Sequence, residues 1–234
     1  TAFLANDNAS YIIRASAIDL GGNQSATTTQ NFSVSTRPVV INEIAWMGNS
    51  ASTSADEWIE LYNRTALPIS LANWVLYSQT DQKPYLNLPG SIPANGYYLI
   101  ERTEENTTSV VADLVAPFGG GTGAGLVNSG EVLILSLAST TIDETPSPCG
   151  PSWCGGNATN YFSMERYDPN AVGSSSAAWG SNNQTVKNGS NAYSIPLNAT
   201  PKARNSLNYL IPLYSATTLS ESRILTTALS PYII

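Results

Sequence analysis

The chain has 234 residues, of which 42% are hydrophobic and 12% are charged, with a formal net charge of −7 and no histidine. This length allows one large or two small domains, and the hydrophobic content is typical of a chain that buries a core. Nucleic-acid affinity depends largely on Lys and Arg that neutralise phosphates, so an acidic chain without a basic cluster disfavours nucleic-acid binding. The lack of histidine excludes Ser–His–Asp and Cys–His catalysis and histidine-based zinc sites within this chain.

The first segment, residues 1–36, predicts a β-hairpin. Residues alternate in character from Tyr11 to Ala17, a turn follows at Asp19–Asn23, and a second strand runs from Thr27 to Val34. The segment resembles the closing hairpin of a bacterial immunoglobulin-like or fibronectin-type module. Because two strands alone are not stable, we expect the rest of such a module upstream. The alternative is that the hairpin packs on its neighbour.

Residues 39–63 predict two neighbouring strands joined by a polar loop. The first strand is apolar on both faces, as expected for a strand that is covered on both sides. Its two faces are Val40, Ile44 and Trp46, and Val39, Ile41 and Ala45. The second strand alternates between an aliphatic face and a face with polar and aromatic side chains. Those faces are Ile59 and Leu61, and Trp58, Glu60 and Tyr62.

Three further runs predict strands of the same sheet system: Trp74–Tyr77, Tyr97–Glu101 and Val132–Leu137, with a continuation near Ile142. Residues 168–200 are low in apolar residues and rich in Ser and Asn. This composition predicts long irregular connections rather than regular elements.

Six sequence pieces, in order along the chain, resemble the lamin tail domain in the type found in bacterial secreted proteins. They are VVINEIAWMG…DEWIELYN, LANWVL, LPGSIPANGYYLIER, GLVNSGEVLIL, FSMER and ATPKARNS. The resemblance implies an all-β fold, an immunoglobulin-like β-sandwich of the lamin-tail type over residues 38–206, with flanking partial β modules. It implies no catalytic residues, so we expect no enzyme and no cofactor.

Residues 207–234 follow this domain and are expected to be a linker or the start of another region. Their sequence SATTLSESRILTTALSPYII, with SPY near its end, resembles the entry into a right-handed parallel β-helix of large bacterial surface proteins. The chain has no run of 18 apolar residues, so no membrane-spanning helix is predicted. Because the chain begins at Thr1 in strand-like sequence, we expect it to be part of a longer polypeptide.

The two cysteines, Cys149 and Cys154, lie in the sequence CGPSWC. Four intervening residues that include Gly150 and Pro151 allow a tight loop to close, so we expect a disulfide and an oxidising compartment. Two reduced thiols are the alternative. A thioredoxin-like redox pair is disfavoured because it requires two intervening residues.

Carboxylates are densest around the two central strands, at Glu43, Asp56, Glu57 and Glu60. The main interpretation is structural: Glu43 and Glu60 pair with Arg166, Lys202 or Arg204, or they accept hydrogen bonds from backbone amides at a sheet edge. One alternative is a Ca²⁺ site, because Ca²⁺ takes several oxygen ligands, although no regular Ca²⁺-loop spacing is present. The other alternative is catalysis by paired carboxylates, as in glycosidases.

As an alternative to core packing, the aromatic residues Trp58, Tyr62 and Trp179 could form a partly exposed face on which sugar rings stack. Core packing is the main interpretation of the tryptophans in this chain.

Together, these features favour a non-catalytic structural or adhesive module of a large exported bacterial protein, at the cell surface or outside the cell. Its expected partners are other domains of the same polypeptide, and cell-surface protein or glycan. The alternative is a glycan-binding accessory module of an extracellular hydrolase.

Overall fold

The computed structural model describes residues 9–119 and 125–210. Almost all regular structure in these ranges is β. The strands are β1 (Ala9–Ala15), β2 (Thr28–Val34), β3 (Val39–Ala45), β4 (Trp58–Asn63), β5 (Ile69–Ser70), β6 (Trp74–Ser78), β7 (Tyr85–Asn87), β8 (Ser91–Ile92), β9 (Tyr97–Arg102), β10 (Leu114–Ala116), β11 (Leu133–Leu137), β12 (Thr140–Glu144), β13 (Met164–Arg166) and β14 (Trp179–Ser181). Two short 3-10 helices cover Ser176–Ala178 and Ser206–Leu210.

Two larger sheets form the body of the structure. The first has six strands in the order β10-β9-β4-β3-β13-β14, and the second has four in the order β12-β11-β6-β7. All neighbouring strands in these sheets are antiparallel except β10 and β9, which are parallel. Apolar side chains from both sheets form one core, among them Ile44, Ile59, Leu61, Leu76, Ile100, Leu133 and Leu135. The expected immunoglobulin-like β-sandwich is therefore confirmed.

The central strand β3 is buried along its whole length, as its two apolar faces predicted. One face of the six-stranded sheet contributes to the shared core, and we call the other its outer face. Residues 182–208, which we call the C-terminal strap, cross this outer face and hydrogen-bond to side chains that project from it. Both faces of the central strands are therefore covered, which explains why polar outer-face residues of β3 and β4 are buried.

A β-bulge interrupts β3 at Asn42. Ile41 pairs with Leu61 and Glu43 pairs with Glu60, so two residues of β3 advance while β4 advances by one. The extra residue is Asn42. Because a bulge reverses the alternation of faces that follows it, Val40 and Ile44 lie on opposite faces rather than on one.

Strands β1 and β2 form a separate two-stranded sheet, as the sequence predicted. Tyr11 pairs with Phe32, and their rings stack with centroids 5.6 Å apart. Ile12 and Ile13 are 58% and 56% exposed, so the described hairpin buries little of its apolar surface. Its assignment to an upstream module stays a prediction.

The expectation for residues 207–234 lies largely outside the described residues, which end at Leu210. No helix within 9–119 and 125–210 has the length and apolar character needed to cross a membrane.

Candidate functional site

Three glutamates stand side by side on the outer face of the six-stranded sheet. Glu165 of β13 pairs with Glu43 of β3, and Glu43 pairs with Glu60 of β4. All three are fully buried. We call this set the carboxyl row. Like charges that lie directly opposite each other across strands are destabilising, so the row requires neutralisation or strong hydrogen bonding.

The C-terminal strap supplies most of the hydrogen bonds to Glu43. The backbone N–H of Thr200 donates to Glu43 Oε1 over 2.8 Å, and the Thr200 hydroxyl donates to Oε2 over 2.8 Å. The Ser163 hydroxyl, at the entry to β13, donates to Oε1 over 2.6 Å. These donors are neutral, so they orient the carboxyl without cancelling a charge.

Glu165 and Glu60 are held in the same manner. Glu165 accepts from Ser206 Oγ and from Asn182 Nδ2, each over 2.6 Å. Glu60 accepts from Asn42 Nδ2 over 2.8 Å and from the backbone N–H of Lys202 over 2.5 Å. The bulged position of Asn42 places its amide next to Glu60, a contact that a regular strand would not give.

Burial raises the pKa of all three carboxyls. The pKa of Glu60 rises to about 8, chiefly through loss of solvation. The pKa of Glu43 is raised well above its ordinary range by burial and by the nearby charges of Glu165 and Glu60, and burial raises that of Glu165. Removal of water disfavours the charged form, and adjacent carboxylates add to that effect. The row therefore retains protons that isolated glutamates would lose.

The expected pairing of Glu43 or Glu60 with Arg166 is wrong. The Arg166 guanidinium forms a two-pronged ion pair with Asp143, with Nη1–Oδ2 and Nη2–Oδ1 distances of 2.6 and 3.1 Å. Both side chains are almost completely buried. The other structural expectation was hydrogen bonding to backbone amides, and Glu43 and Glu60 both accept such bonds. The amide donors belong to the strap, however, and not to a sheet edge.

The four residues considered for Ca²⁺ have separate surroundings. Glu43 and Glu60 belong to the carboxyl row, whereas Glu57 lies 3.2 Å from Arg102 Nη1 and accepts the backbone N–H of Leu126. Asp56 precedes it in the loop before β4. Within 9–119 and 125–210, no group of three or more carboxylate or cysteine side chains is arranged to hold a metal ion.

The aromatic face considered for ligand binding is largely covered. Trp58 is 0% exposed and Trp179 is 4% exposed, so neither presents a ring to solvent. Trp179 instead packs against the Arg166 guanidinium, 5.4 Å from its ring centroid, and donates a hydrogen bond to the Gly173 carbonyl. Only Tyr62 of the three remains partly exposed.

A cavity of about 390 Å³ opens beside Tyr62, between the outer face of the sheet, the loop after β13 and the C-terminal strap. Its lining residues are Asn42, Tyr62, Tyr97, Asp168, Pro169, Asn170, Arg204 and Asn208. Tyr62 and Tyr97 are strand partners, and their ring centroids lie 5.1 Å apart. Of the lining residues, Tyr62 alone was predicted from the sequence as part of a binding face. Tyr97 was predicted only as a residue of a strand, because its pairing with Tyr62 depends on the order of the strands in the sheet.

Cys149 and Cys154 form a disulfide in the structure, with their Cα atoms 4.9 Å apart. Trp153 lies inside the closed loop, stacks on Trp46 and donates a hydrogen bond to the Val127 carbonyl. The loop is therefore also attached to the sandwich by an aromatic side chain.

Residues 33–145 match the family model of the Lamin Tail Domain. A search of curated proteins finds no match to the chain. The matched range contains β3–β12, whereas Glu165 and the C-terminal strap lie beyond it. Each of the two glutamates of the row that lie in the matched range thus accepts hydrogen bonds from the strap, which lies outside it.

Proposed function

Residues 33–145 of the chain belong to the lamin tail domain family, and from that premise we propose that the chain is a non-catalytic structural module of a large exported bacterial surface protein. Lamin tail domains are immunoglobulin-like, which is consistent with such a role. The proposed work of the module is to space neighbouring domains of the same polypeptide and to make protein or surface contacts through its loops.

The main support for the proposal is that the three glutamates of the carboxyl row serve to hold the fold together. Glu43, Glu60 and Glu165 are each saturated by donors of the strap or of adjacent strands, and none has access to solvent. A catalytic acid or base must reach its substrate within hydrogen-bond distance. The row instead joins residues 182–208 to the sheet, which is a structural task.

The disulfide supports the exported location. Disulfides form and persist in oxidising environments such as the extracellular space and the bacterial periplasm. A Cys149–Cys154 bond in the described structure fits a protein that matures outside the cytoplasm.

Single-molecule pulling tests the spacer function. The full chain would be placed between two marker domains and stretched. A spacer is expected to unfold in one main cooperative step, with a contour-length gain of about 3.6 Å for each residue of the sandwich and strap. Extension at low force without a discrete step would overturn the proposal, as would turnover of any glycoside, ester or phosphate substrate by the purified chain.

The rival function, a glycan-binding accessory module of an extracellular hydrolase, loses two of its three supporting side chains. Trp58 and Trp179 belong to the core, so a flat row of exposed rings is not formed by the residues first considered. Tyr62 alone of the three is partly exposed, so any glycan recognition must involve residues other than the two tryptophans.

A further inference from the structure

We propose that the cavity between Tyr62, Tyr97, Asp168 and Arg204 is a binding site for one or two neutral sugar rings at the end of a glycan. The proposal goes beyond the spacer function and does not depend on it. It keeps Tyr62 of the aromatic face considered from the sequence, but replaces the buried Trp58 and Trp179 with other residues of the cavity.

The size and position of the cavity suit a small ligand. Its volume of about 390 Å³ falls within the ordinary range for small-molecule pockets, about 300–1,000 Å³. Strands β3, β4 and β9, the loop after β13 and the end of the strap all contribute to its lining. Pockets formed where several rigid elements converge hold a fixed shape, which lowers the cost of binding.

The two tyrosines give the cavity an aromatic wall. Tyr62 and Tyr97 come from adjacent strands, and their rings are inclined by 39° to each other. Aromatic side chains provide a rigid apolar surface together with a polar hydroxyl. A pyranose ring has the matching character, because its C–H bonds form an apolar face and its hydroxyls project around the edge.

The remaining lining residues offer both donors and acceptors. Asp168 Oδ1 accepts hydrogen bonds from the Asn170 backbone and side-chain amides, an arrangement that fixes the carboxylate at the cavity. Arg204 donates from Nη2 to the Asn208 carbonyl, which places a guanidinium at the same wall. Sugar hydroxyls donate and accept at once, so a mixed set of this kind suits them.

The charges of the lining disfavour two other ligand classes. A phosphate or carboxylate ligand would meet the Asp168 carboxylate as well as Arg204, so the electrostatic gain would be partly cancelled. A purely apolar ligand would remove Asp168, Asn170 and Arg204 from water without replacing their hydrogen bonds. A neutral polyhydroxylated ring avoids both costs.

The floor of the cavity is preorganised by the carboxyl row. Asn42 donates from Nδ2 to Glu60 Oε1 and to Asn205 Oδ1, so its side chain is fixed from behind. The Tyr97 hydroxyl is protonated at neutral pH and can donate, and burial raises its pKa further. The polar floor is thus rigid before a ligand arrives.

Saturation-transfer NMR on the full chain tests the proposal. The probes are glucose, galactose, mannose, N-acetylglucosamine, maltose, cellobiose and chitobiose, each titrated to about 20 mM so that binding as weak as a few kcal/mol is detected. At least one probe is expected to bind. Tyr62→Ala should weaken that binding by about tenfold, as expected for loss of a central aromatic contact.

The chain contains a matched control. Tyr77 and Tyr85 form a second cross-strand tyrosine pair, with ring centroids 5.9 Å apart, on the other sheet. Tyr85 is 55% exposed, so Tyr85→Ala removes an accessible tyrosine away from the cavity and should leave binding unchanged. Equal loss with Tyr85→Ala, or no loss with Tyr62→Ala, would overturn the proposal, and so would failure of all seven sugars to bind.

A second variant tests the site even if Tyr62→Ala fails to fold. Tyr62→Phe keeps the ring and its packing, so the chain remains folded even if Tyr62→Ala does not. We expect Tyr62→Phe to weaken binding by several-fold through loss of the hydroxyl, and Asp168→Asn to act in the same direction. If both variants bind sugar as the parent chain does, the site is not this cavity.

Discussion

Glu43 and Glu165 face each other on adjacent antiparallel strands and share the hydroxyl of Thr200, which lies 2.8 Å from Glu43 Oε2 and 3.2 Å from Glu165 Oε1. A hydroxyl has a single proton, so it cannot donate fully to two carboxylates at once. A protonated carboxyl resolves this, because it donates to the hydroxyl while the hydroxyl donates to its neighbour. The geometry and the raised pKa values of the row therefore agree.

The first prediction concerns stability against pH. The pKa of Glu60 is about 8 in the folded chain and about 4.5 in the unfolded chain, so the folded state holds a proton that the unfolded state releases. The stability that this proton contributes is fully present below about pH 4.5, falls between pH 4.5 and 8, and is lost as the pH rises through about 8. Urea midpoints measured at pH 5, 6, 7 and 8 should fall steadily. Glu43 and Glu165 act in the same direction.

The control for this prediction is Glu43→Gln, which resembles the protonated glutamate in shape and hydrogen bonding. It should flatten part of the pH dependence and raise stability at pH 8, where the parent chain must bury charge. A midpoint that rises with pH in the parent chain, or an unchanged slope in Glu43→Gln, would contradict the assignment of the row as proton-holding.

Much of the fold could be predicted from the alternation of residues, whereas the site could not. The runs that predicted strands from Val39, Trp74 and Tyr97 agree with β3, β6 and β9, because a half-buried strand repeats every two residues. The faces of β3 were wrong beyond Ile41, since nothing in the local sequence marks the bulge at Asn42.

Core packing was the main prediction for Trp58 and is confirmed, but the segment that covers the outer face was not predicted. Trp58 and Glu60 alternate with Ile59 and Leu61, a pattern that normally marks a solvent-exposed face. Residues 182–208 cover this face, although their composition predicts only irregular connections. A segment without periodicity gives no sequence signal of where it docks, so neither the carboxyl row nor the cavity could be derived before the tertiary structure.

The second prediction concerns the buried ion pair. Asp143 accepts two hydrogen bonds from Arg166 and one from the backbone N–H of Ile41, so it joins β12 to β3 and β13. Asp143→Ala leaves the Arg166 guanidinium without its anion in the interior. We expect a loss of about 3–5 kcal/mol in the free energy of unfolding, measured by urea denaturation.

An exposed ion pair provides the comparison. Lys202 Nζ lies 2.8 Å from Asp113 Oδ2, and both side chains are about 30% exposed. Lys202→Met should cost no more than about 1 kcal/mol, because solvent already screens that pair. Similar losses for Asp143→Ala and Lys202→Met would show that the Arg166–Asp143 pair has no special structural role.

The third prediction concerns the disulfide. The Cys149–Cys154 bond closes a loop with a sequence separation of five, and so short a loop constrains the unfolded chain by only about 2 kcal/mol. Trp153 continues to anchor the loop through Trp46 and the Val127 carbonyl. A Cys149→Ser, Cys154→Ser double variant should therefore stay folded, with a Tm lower by about 4–8 °C. Global unfolding of this variant at 25 °C, seen by circular dichroism, would contradict this account.

The fourth prediction returns to Thr200, whose hydroxyl links two members of the carboxyl row. Thr200→Val keeps the shape of the side chain but removes the hydroxyl, so Glu43 Oε2 and Glu165 Oε1 each lose a buried partner. We expect a loss of about 1–3 kcal/mol in the free energy of unfolding, because a buried polar atom left unsatisfied costs about that much. Thr141→Val makes the same chemical change at an exposed position of β12 and should be nearly neutral.

If the strap is held by the row, Thr200→Val should also increase hydrogen exchange of the backbone amides in residues 182–208, while exchange in β6 and β11 stays slow. If the amides of residues 182–208 exchange at the same rate in Thr200→Val and Thr141→Val, the strap is held by contacts other than the row.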